Sequence, residues 1–265
     1  MTAHSLLGAS SMHRWSVCPG SVRLSADAPP VTNAAAEEGT EAHAYAAWCI
    51  DPEAGGQRPY KTHFLEYGAS NEMIDCVAHY YDYVYDNFDG APDLLMVEQR
   101  FDLSGVHPGC FGTADAVIWK PAAETLVVVD YKHGKKRVHA QDNPQLMYYA
   151  LGALLNARLP AKRVRMVIVQ PRCGGEPIAE WEIDAADLLD FRMDLVRYAR
   201  ATAAPDAPLV PGGHCFFCPA GQTCPAQREK RARNAFDPVD DDLVASLPPF
   251  LRRSGDTTEK TKELT

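Results

Sequence analysis

No stretch of the 265 residues comes near the roughly 18 to 20 consecutive apolar residues that a membrane-spanning helix requires. The first twenty residues, MTAHSLLGASSMHRWSVCPG, lack the cationic start and apolar core of a secretory signal. The expectation is therefore a cytoplasmic protein without a membrane partner. Positive charge is also scarce, with 26 Lys and Arg against 35 Asp and Glu, a net charge of −9. That total by itself disfavours a nucleic-acid partner. No internal repeat is visible. What remains is ordinary globular composition, 46% hydrophobic and 23% charged, at a length that suits one large domain or one domain with an appendage.

The basic residues that are present are grouped. One run holds Lys132, Lys135, Lys136 and Arg137, a second Lys162, Arg163 and Arg165, and a third Arg228, Lys230, Arg231 and Arg233. The second and third read as solvated faces. The first adjoins a carboxylate pair and so is a candidate for contacting phosphates.

Residues 10–25 read as a short helix broken at Cys18-Pro19-Gly20. A second helix starts near Thr32 or Asn33 and runs through AAAEEGTEAHAYAAW. Residues 51–69 read as a loop. Met73, Ile74, Val77, Tyr80, Tyr81, Val84, Tyr85 and Phe88 then recur at helical spacing, and this aromatic stripe reads as core packing. Three strands are expected at 94–103, 112–119 and 125–132, with connections short enough for antiparallel neighbours. A helix follows from Pro144, capped by Asn143. A buried strand occupies 163–171, and Asp184 is expected to cap a further helix. This order predicts an α/β fold, a mixed sheet flanked by helices.

Within that plan, Asp130 and Lys132 lie two residues apart at the end of a strand and so project to one face. A neighbouring strand can bring Asp115 beside them. Two converging carboxylates offer hard oxygen ligands for Mg²⁺ or Mn²⁺. A lysine next to them can orient a water and meet charge developing on a phosphate. Metal-assisted phosphodiester hydrolysis needs that set of parts. Taken alone, a D-x-K pattern more often marks strand-end aspartates and a surface lysine.

Of the eight cysteines, Cys49, Cys76, Cys110 and Cys173 stand singly and read as small core or surface residues. Cys215, Cys218 and Cys224 form C-x-x-C-x-x-x-x-x-C, and Cys18 is a remote fourth thiol. Such a set can ligate a [4Fe–4S] cluster, or a structural zinc with Cys18 or His214 as the fourth ligand.

Five short motifs in order, Cys18 with the later cysteines, Gly39-Thr40-Glu41-Ala42-His43, Gly112-Thr113-Ala114-Asp115, Asp130-Tyr131-Lys132 and Gln145-Leu146-Met147-Tyr148-Tyr149, resemble the PD-(D/E)XK nuclease superfamily. The closer resemblance is to its RecB-like branch, with the exonucleases of the AddB and CRISPR-associated types. It spans roughly residues 10–230 and implies a restriction-endonuclease-like core acting on DNA in recombination or end processing. It makes His43, Asp115 and Asp130 metal ligands, with Asp115, Asp130, Lys132, Gln145 and Tyr149 the catalytic set. It favours iron–sulfur over zinc on Cys18, Cys215, Cys218 and Cys224. Asp130 is shorter than the Glu often found ahead of the lysine, and Glu98 in the first strand is a further acid that can either approach the site or pair at the surface. The implied organisation is one nuclease domain over 1–236, cluster-binding segments at 10–25 and 212–230, and a polar, disordered tail from 237. A phage-type, stand-alone chain is implied, with phage or host recombination proteins as partners. The reading from a different class is a DNA-binding scaffold that keeps the fold and cluster without turnover.

Overall fold

The computed structural model describes residues 5–26, 28, 33–53, 56–60 and 68–236. It divides into two compact units, Met1–Gln222 and Thr223–Thr265. The segment from 237, expected to be a disordered tail, lies outside the described residues.

The first unit opens with a 3-10 turn, Ala9–Ser11, and the short helices α1 (Met12–Trp15) and α2 (Gly20–Ala26). Helix α3 spans Ala34–Ile50, where the Asn33 side chain accepts from the Ala36 N–H, and α4 spans Asn71–Asp86, capped in the same way by Ser70. Then come β1 (Leu94–Asp102), β2 (Phe111–Lys120), β3 (Thr125–Tyr131), α5 (Pro144–Ala157), β4 (Arg163–Val169), β5 (Ile178–Asp184) and α6 (Asp187–Thr202). In α5, Asn143 caps by accepting from the Gln145 and Leu146 N–H groups, and Pro144 takes the position where its missing donor costs nothing. In the second unit, α7 covers Pro225–Phe236.

The five strands form one sheet in the order β1-β2-β3-β4-β5. Only β3 and β4, joined by the crossover through α5, are parallel. Every residue of β3 is buried, as an unbroken Leu126–Val129 run requires of a strand covered on both faces. Alternation along the strands then assigns two cores. Val117, Leu126, Val128 and Ile168 pack with α1, α5 and α6, whereas Ala116, Ile118, Val127, Val129 and Val167 pack with α3 and α4. The aromatic stripe of α4 belongs to the second core, with Tyr80 buried in it and Tyr81, Tyr85 and Phe88 packed against it.

Two elements were not expected, α7 and the strand β5. β5 carries its half-buried residues Ala179, Trp181 and Ile183 between exposed Glu180, Glu182 and Asp184, and pairs along the whole of β4. Asp184 therefore ends a strand instead of capping a helix. The N-cap of α6 is Ala186, whose side chain makes no capping bond. Among the described residues no helix is long and apolar enough to cross a membrane.

Candidate active site

The site lies where β2 and β3 part. Their pairing ends at Ala116 opposite Val129, while β3 stays paired with β4 as far as Tyr131 opposite Val169. Beyond that point the Asp115 carboxylate takes over from the missing ladder and accepts the Tyr131 N–H at 2.8 Å. Lys132 is held on the other side, where its N–H donates to the Val169 carbonyl at 2.9 Å.

Helix α5 completes the cluster. Gln145 Nε2 donates to Asp130 Oδ1 and to Tyr149 Oη, both at 3.0 Å, and its Oε1 accepts from Lys132 Nζ at 3.1 Å. Gln145 and Tyr149 lie one helical turn apart, so both reach the same spot. The spacing in Gly112-Thr113-Ala114-Asp115 also has a steric reason. A Cβ at position 112 would stand 2.9 Å from Tyr149 Cε1, so the tyrosine ring packs where only glycine leaves room. From α3, His43 Nδ1 stands 3.4 Å from Asp115 Oδ1. The structure thus brings together His43, Asp115, Asp130, Lys132, Gln145 and Tyr149.

Charge in this cluster is unevenly compensated. Burial, partly offset by Lys132 and reinforced by Asp115, pushes the Asp130 carboxyl up to about 6. Burial would do the same to Asp115, but the His43 charge and hydrogen bond hold it below the usual carboxylate range. Lys132 stays above its ordinary value: burial pulls it down, and Asp130 and Asp115 more than offset that. His43 is likewise raised, because Asp115 outweighs its burial. The Lys132 ammonium forms a 2.7 Å ion pair with the buried Asp130 Oδ2, which has no other polar partner among the described residues.

Glu98 was left at the margin by the sequence. In the antiparallel register it lies directly across from Asp115, between the pairs Val97–Ala116 and Gln99–Ala114. The ladder is interrupted at that one step, where Glu98 adopts φ +46°. A non-glycine residue in this region is uncommon, and such backbone concentrates at functional sites. Its carboxyl is pushed up to about 7 by burial and by Asp115, with His43 opposing. Tyr80 of α4 reaches the same charges, and its buried hydroxyl has no hydrogen-bond partner among the described residues.

Two further features position the site, and neither was readable in advance. Buried Gln170, at the end of β4, donates to the carbonyls of Gly134 and Lys136, each at 2.7 Å, and accepts the Val138 N–H at 2.8 Å. That side chain fastens the basic loop beside Lys132. Arg172 pairs with Glu38 of α3 at 3.0 Å and with Glu72 of α4 at 2.9 Å. Glu38 also meets His133 at 3.3 Å, and His133 contacts the Tyr131 hydroxyl at 2.8 Å. This chain of contacts fixes the helix that carries His43 against the strand that carries Asp130. The only hint in the sequence was a polar residue closing an apolar run.

In the basic loop, Lys135, Lys136 and Arg137 are exposed, and the Arg137 guanidinium donates to the Gly174 carbonyl. Of the cysteines, Cys49, Cys76 and Cys110 are buried, and burial pushes the Cys49 thiol up to about 12 and Cys76 up to about 11, as expected of inert core thiols. Cys18 and Cys215 behave differently: their sulfurs accept backbone N–H groups, from Val210 at 3.2 Å and from Gly212 at 3.3 Å. Cys218 Sγ is 3.8 Å from the Ser25 hydroxyl of α2. Cys224 falls in the second unit.

The strand-end cluster offers the donor types that a divalent ion takes, two carboxylates and an imidazole, but does not hold them gathered as a binding site. Among the described residues no three His, Cys, Asp or Glu side chains stand close enough together to hold a metal ion. Lys132 and His43 here lie against the oxygens that a cation would use.

Fold and site define a mixed α/β protein whose sheet opens between two strands onto a buried carboxylate–lysine–glutamine cluster. The family described as "Protein of unknown function (DUF2800)" matches residues 4–247, and the chain belongs to it. Among solved structures the chain is similar to the one titled "Crystal structure of SSO0001", at 16% identity, covering 86% of this chain and 89% of that one, with a TM-score of 0.38.

Proposed function

We propose that this chain is a metal-dependent DNA nuclease of the PD-(D/E)XK kind, an exonuclease of the RecB-like branch that works in recombination or DNA-end processing in the cytoplasm. The observation that carries this reading is that six motif side chains from α3, β2, α5 and the end of β3 lie at one place: Asp130, Lys132, Gln145 and Tyr149 are linked by hydrogen bonds and an ion pair, and Asp115, paired with His43, binds the Tyr131 N–H between Asp130 and Lys132. Asp115 and Asp130 would hold one or two Mg²⁺ or Mn²⁺ ions, with His43 as co-ligand and Glu98 across the strand from Asp115. Such an ion supplies a more acidic bound water and offsets charge on the phosphate.

The remaining roles belong to the chain. Lys132, kept cationic by two carboxylates, orients the attacking water and meets the charge that grows on the phosphoryl oxygens. Gln145 holds Lys132 and Asp130 in mutual register, and Tyr149 holds Gln145. The water oxygen forms the new bond to phosphorus as the bond to the leaving sugar oxygen breaks. Lys135, Lys136 and Arg137 hold phosphates beside the site. The thiolates of Cys18, Cys215, Cys218 and Cys224 would bind a [4Fe–4S] cluster, with zinc as the competing occupant; N–H groups aimed at Cys18 and Cys215 suit sulfurs that carry negative charge.

The direct test is cleavage of linear, end-labelled DNA with Mn²⁺ or Mg²⁺. Binding without cleavage under any divalent ion would leave the scaffold reading instead. Replacing Lys135, Lys136 and Arg137 together by alanine should weaken binding to all sequences alike. The slope of log affinity against log salt should flatten by about 2 to 3, since each lost phosphate contact removes about 0.7 to 0.9. An unchanged slope would make the run a solvated face.

Gly39 offers a second check. It precedes His43 by one turn, and a Cβ there would meet nothing within 4 Å. A glycine inside a helix costs about 1 kcal/mol relative to alanine, yet no packing requires this one. Gly39→Ala is expected to raise the melting midpoint by about 2 to 4 °C and to slow cleavage by filling space that the DNA backbone needs. Calorimetry beside the cleavage assay reads both, and a more stable variant of full activity would show that the space is idle.

A further inference from the structure

A cleft of about 830 Å³ opens beside Lys132, walled on one side by Lys135 and Lys136 and on the other by His13, His214 and Phe217. Its rim carries an anomaly. Phe216 and Phe217, in the 3-10 turn Gly213–Phe217, are 80% and 61% exposed and join neither core. The two rings stand 4.8 Å apart, nearly perpendicular, and Lys136 Nζ lies 5.5 and 5.4 Å from their centres. Adjacent exposed phenylalanines mark a surface kept for a ligand.

The ligand must suit aromatic faces and a row of cations together. An apolar protein surface would bury Lys135 and Lys136 without partners, which is costly. A nucleic-acid strand satisfies both demands, since its phosphates face the ammonium groups and its bases offer flat π-surfaces. Duplex DNA keeps those surfaces inside its own stack, so only unpaired bases can use the rings.

We propose that Phe216 and Phe217 are a stacking platform for unpaired bases of a DNA strand that the basic loop leads to Lys132, so that the substrate is a single-stranded or frayed end. This rests on reading the site as a DNA nuclease. The platform sits between Cys215 and Cys218, which ties its position to the cysteine segment.

The test is fluorescence anisotropy with the full chain in EDTA, using three probes: a labelled single strand, the same strand made abasic, and a blunt duplex. Wild type should prefer the base-bearing strand over the abasic one by about tenfold or more. Phe216→Ala/Phe217→Ala should lose that preference while binding the abasic strand and the duplex as wild type does. Phe216→Trp/Phe217→Trp should restore it, which a general loss of folding would not allow. If the alanine pair keeps the preference, or wild type has none, the platform is refuted and the nuclease reading stands on its own. If wild type binds none of the probes, both readings fall.

Discussion

Asp130→Asn is expected to abolish Mg²⁺- or Mn²⁺-dependent cleavage of linear DNA, by about three orders of magnitude or more, with an unchanged circular dichroism spectrum. Removing one interaction that acts only in the transition state already costs about a hundred- to a thousandfold, and a lost ligand removes the metal's contribution as well. The asparagine is preferred to alanine because Asp130 is buried, hydrogen-bonded to Gln145 and ion-paired with Lys132. Alanine leaves a buried ammonium with less compensation and is expected to lower stability in addition. Asp115→Asn should match it, since neither carboxylate can stand in for the other. Lys132→Ala should keep metal binding by titration calorimetry yet lose turnover, because the lysine works on water and phosphate. His43→Ala should be milder, with Mn²⁺ rescuing better than Mg²⁺. Full activity in Asp130→Asn would end the nuclease assignment.

The second large effect concerns the cysteines. Protein purified without oxygen should be brown, with broad charge-transfer absorbance and about four irons per chain. Cys18→Ala should lose the colour, the iron and much of the stability. Cys18 is buried, and its sulfur accepts the Val210 N–H. The next turn is seated closely on the same segment: a Cβ at Gly20 would come within 2.5 Å of the Ala207 carbonyl oxygen. Cys173→Ala should change none of these, since among the described residues that thiol bonds nearby carbonyls, those of Gln170 and Gly174. Colourless protein with one zinc per chain would refute the iron–sulfur assignment.

Much of this architecture was legible in the residues. Four strands announced themselves as apolar runs between turn signals, and Asn143-Pro144 marked the start of α5 as observed. The relation of Asp130 to Lys132 follows from the two-residue period of a strand. β5 escaped because an edge strand with alternating half-buried and exposed residues, in Ile178 to Asp184, reads locally like a polar connection. The left-handed backbone at Glu98 escaped for a different reason: it is set by the parting of β2 from β3, a property of three strands at once. Gln170 and Arg172 are polar residues whose side-chain partners lie 32 to 134 positions away, from Val138 to Glu38, and no local pattern carries that information.

The site draws on α3, β2, β3 and α5, from both layers and the sheet between them. No local segment assembles it: His43 and Asp115 are brought together from positions 72 residues apart, and Gln145 is supplied by α5, in the crossover between β3 and β4. Contacts of such range form late, once the loops between them have closed. A chain emerging from the ribosome thus has no such cluster until its tertiary structure closes, and whatever chemistry the site performs has to wait for that closure.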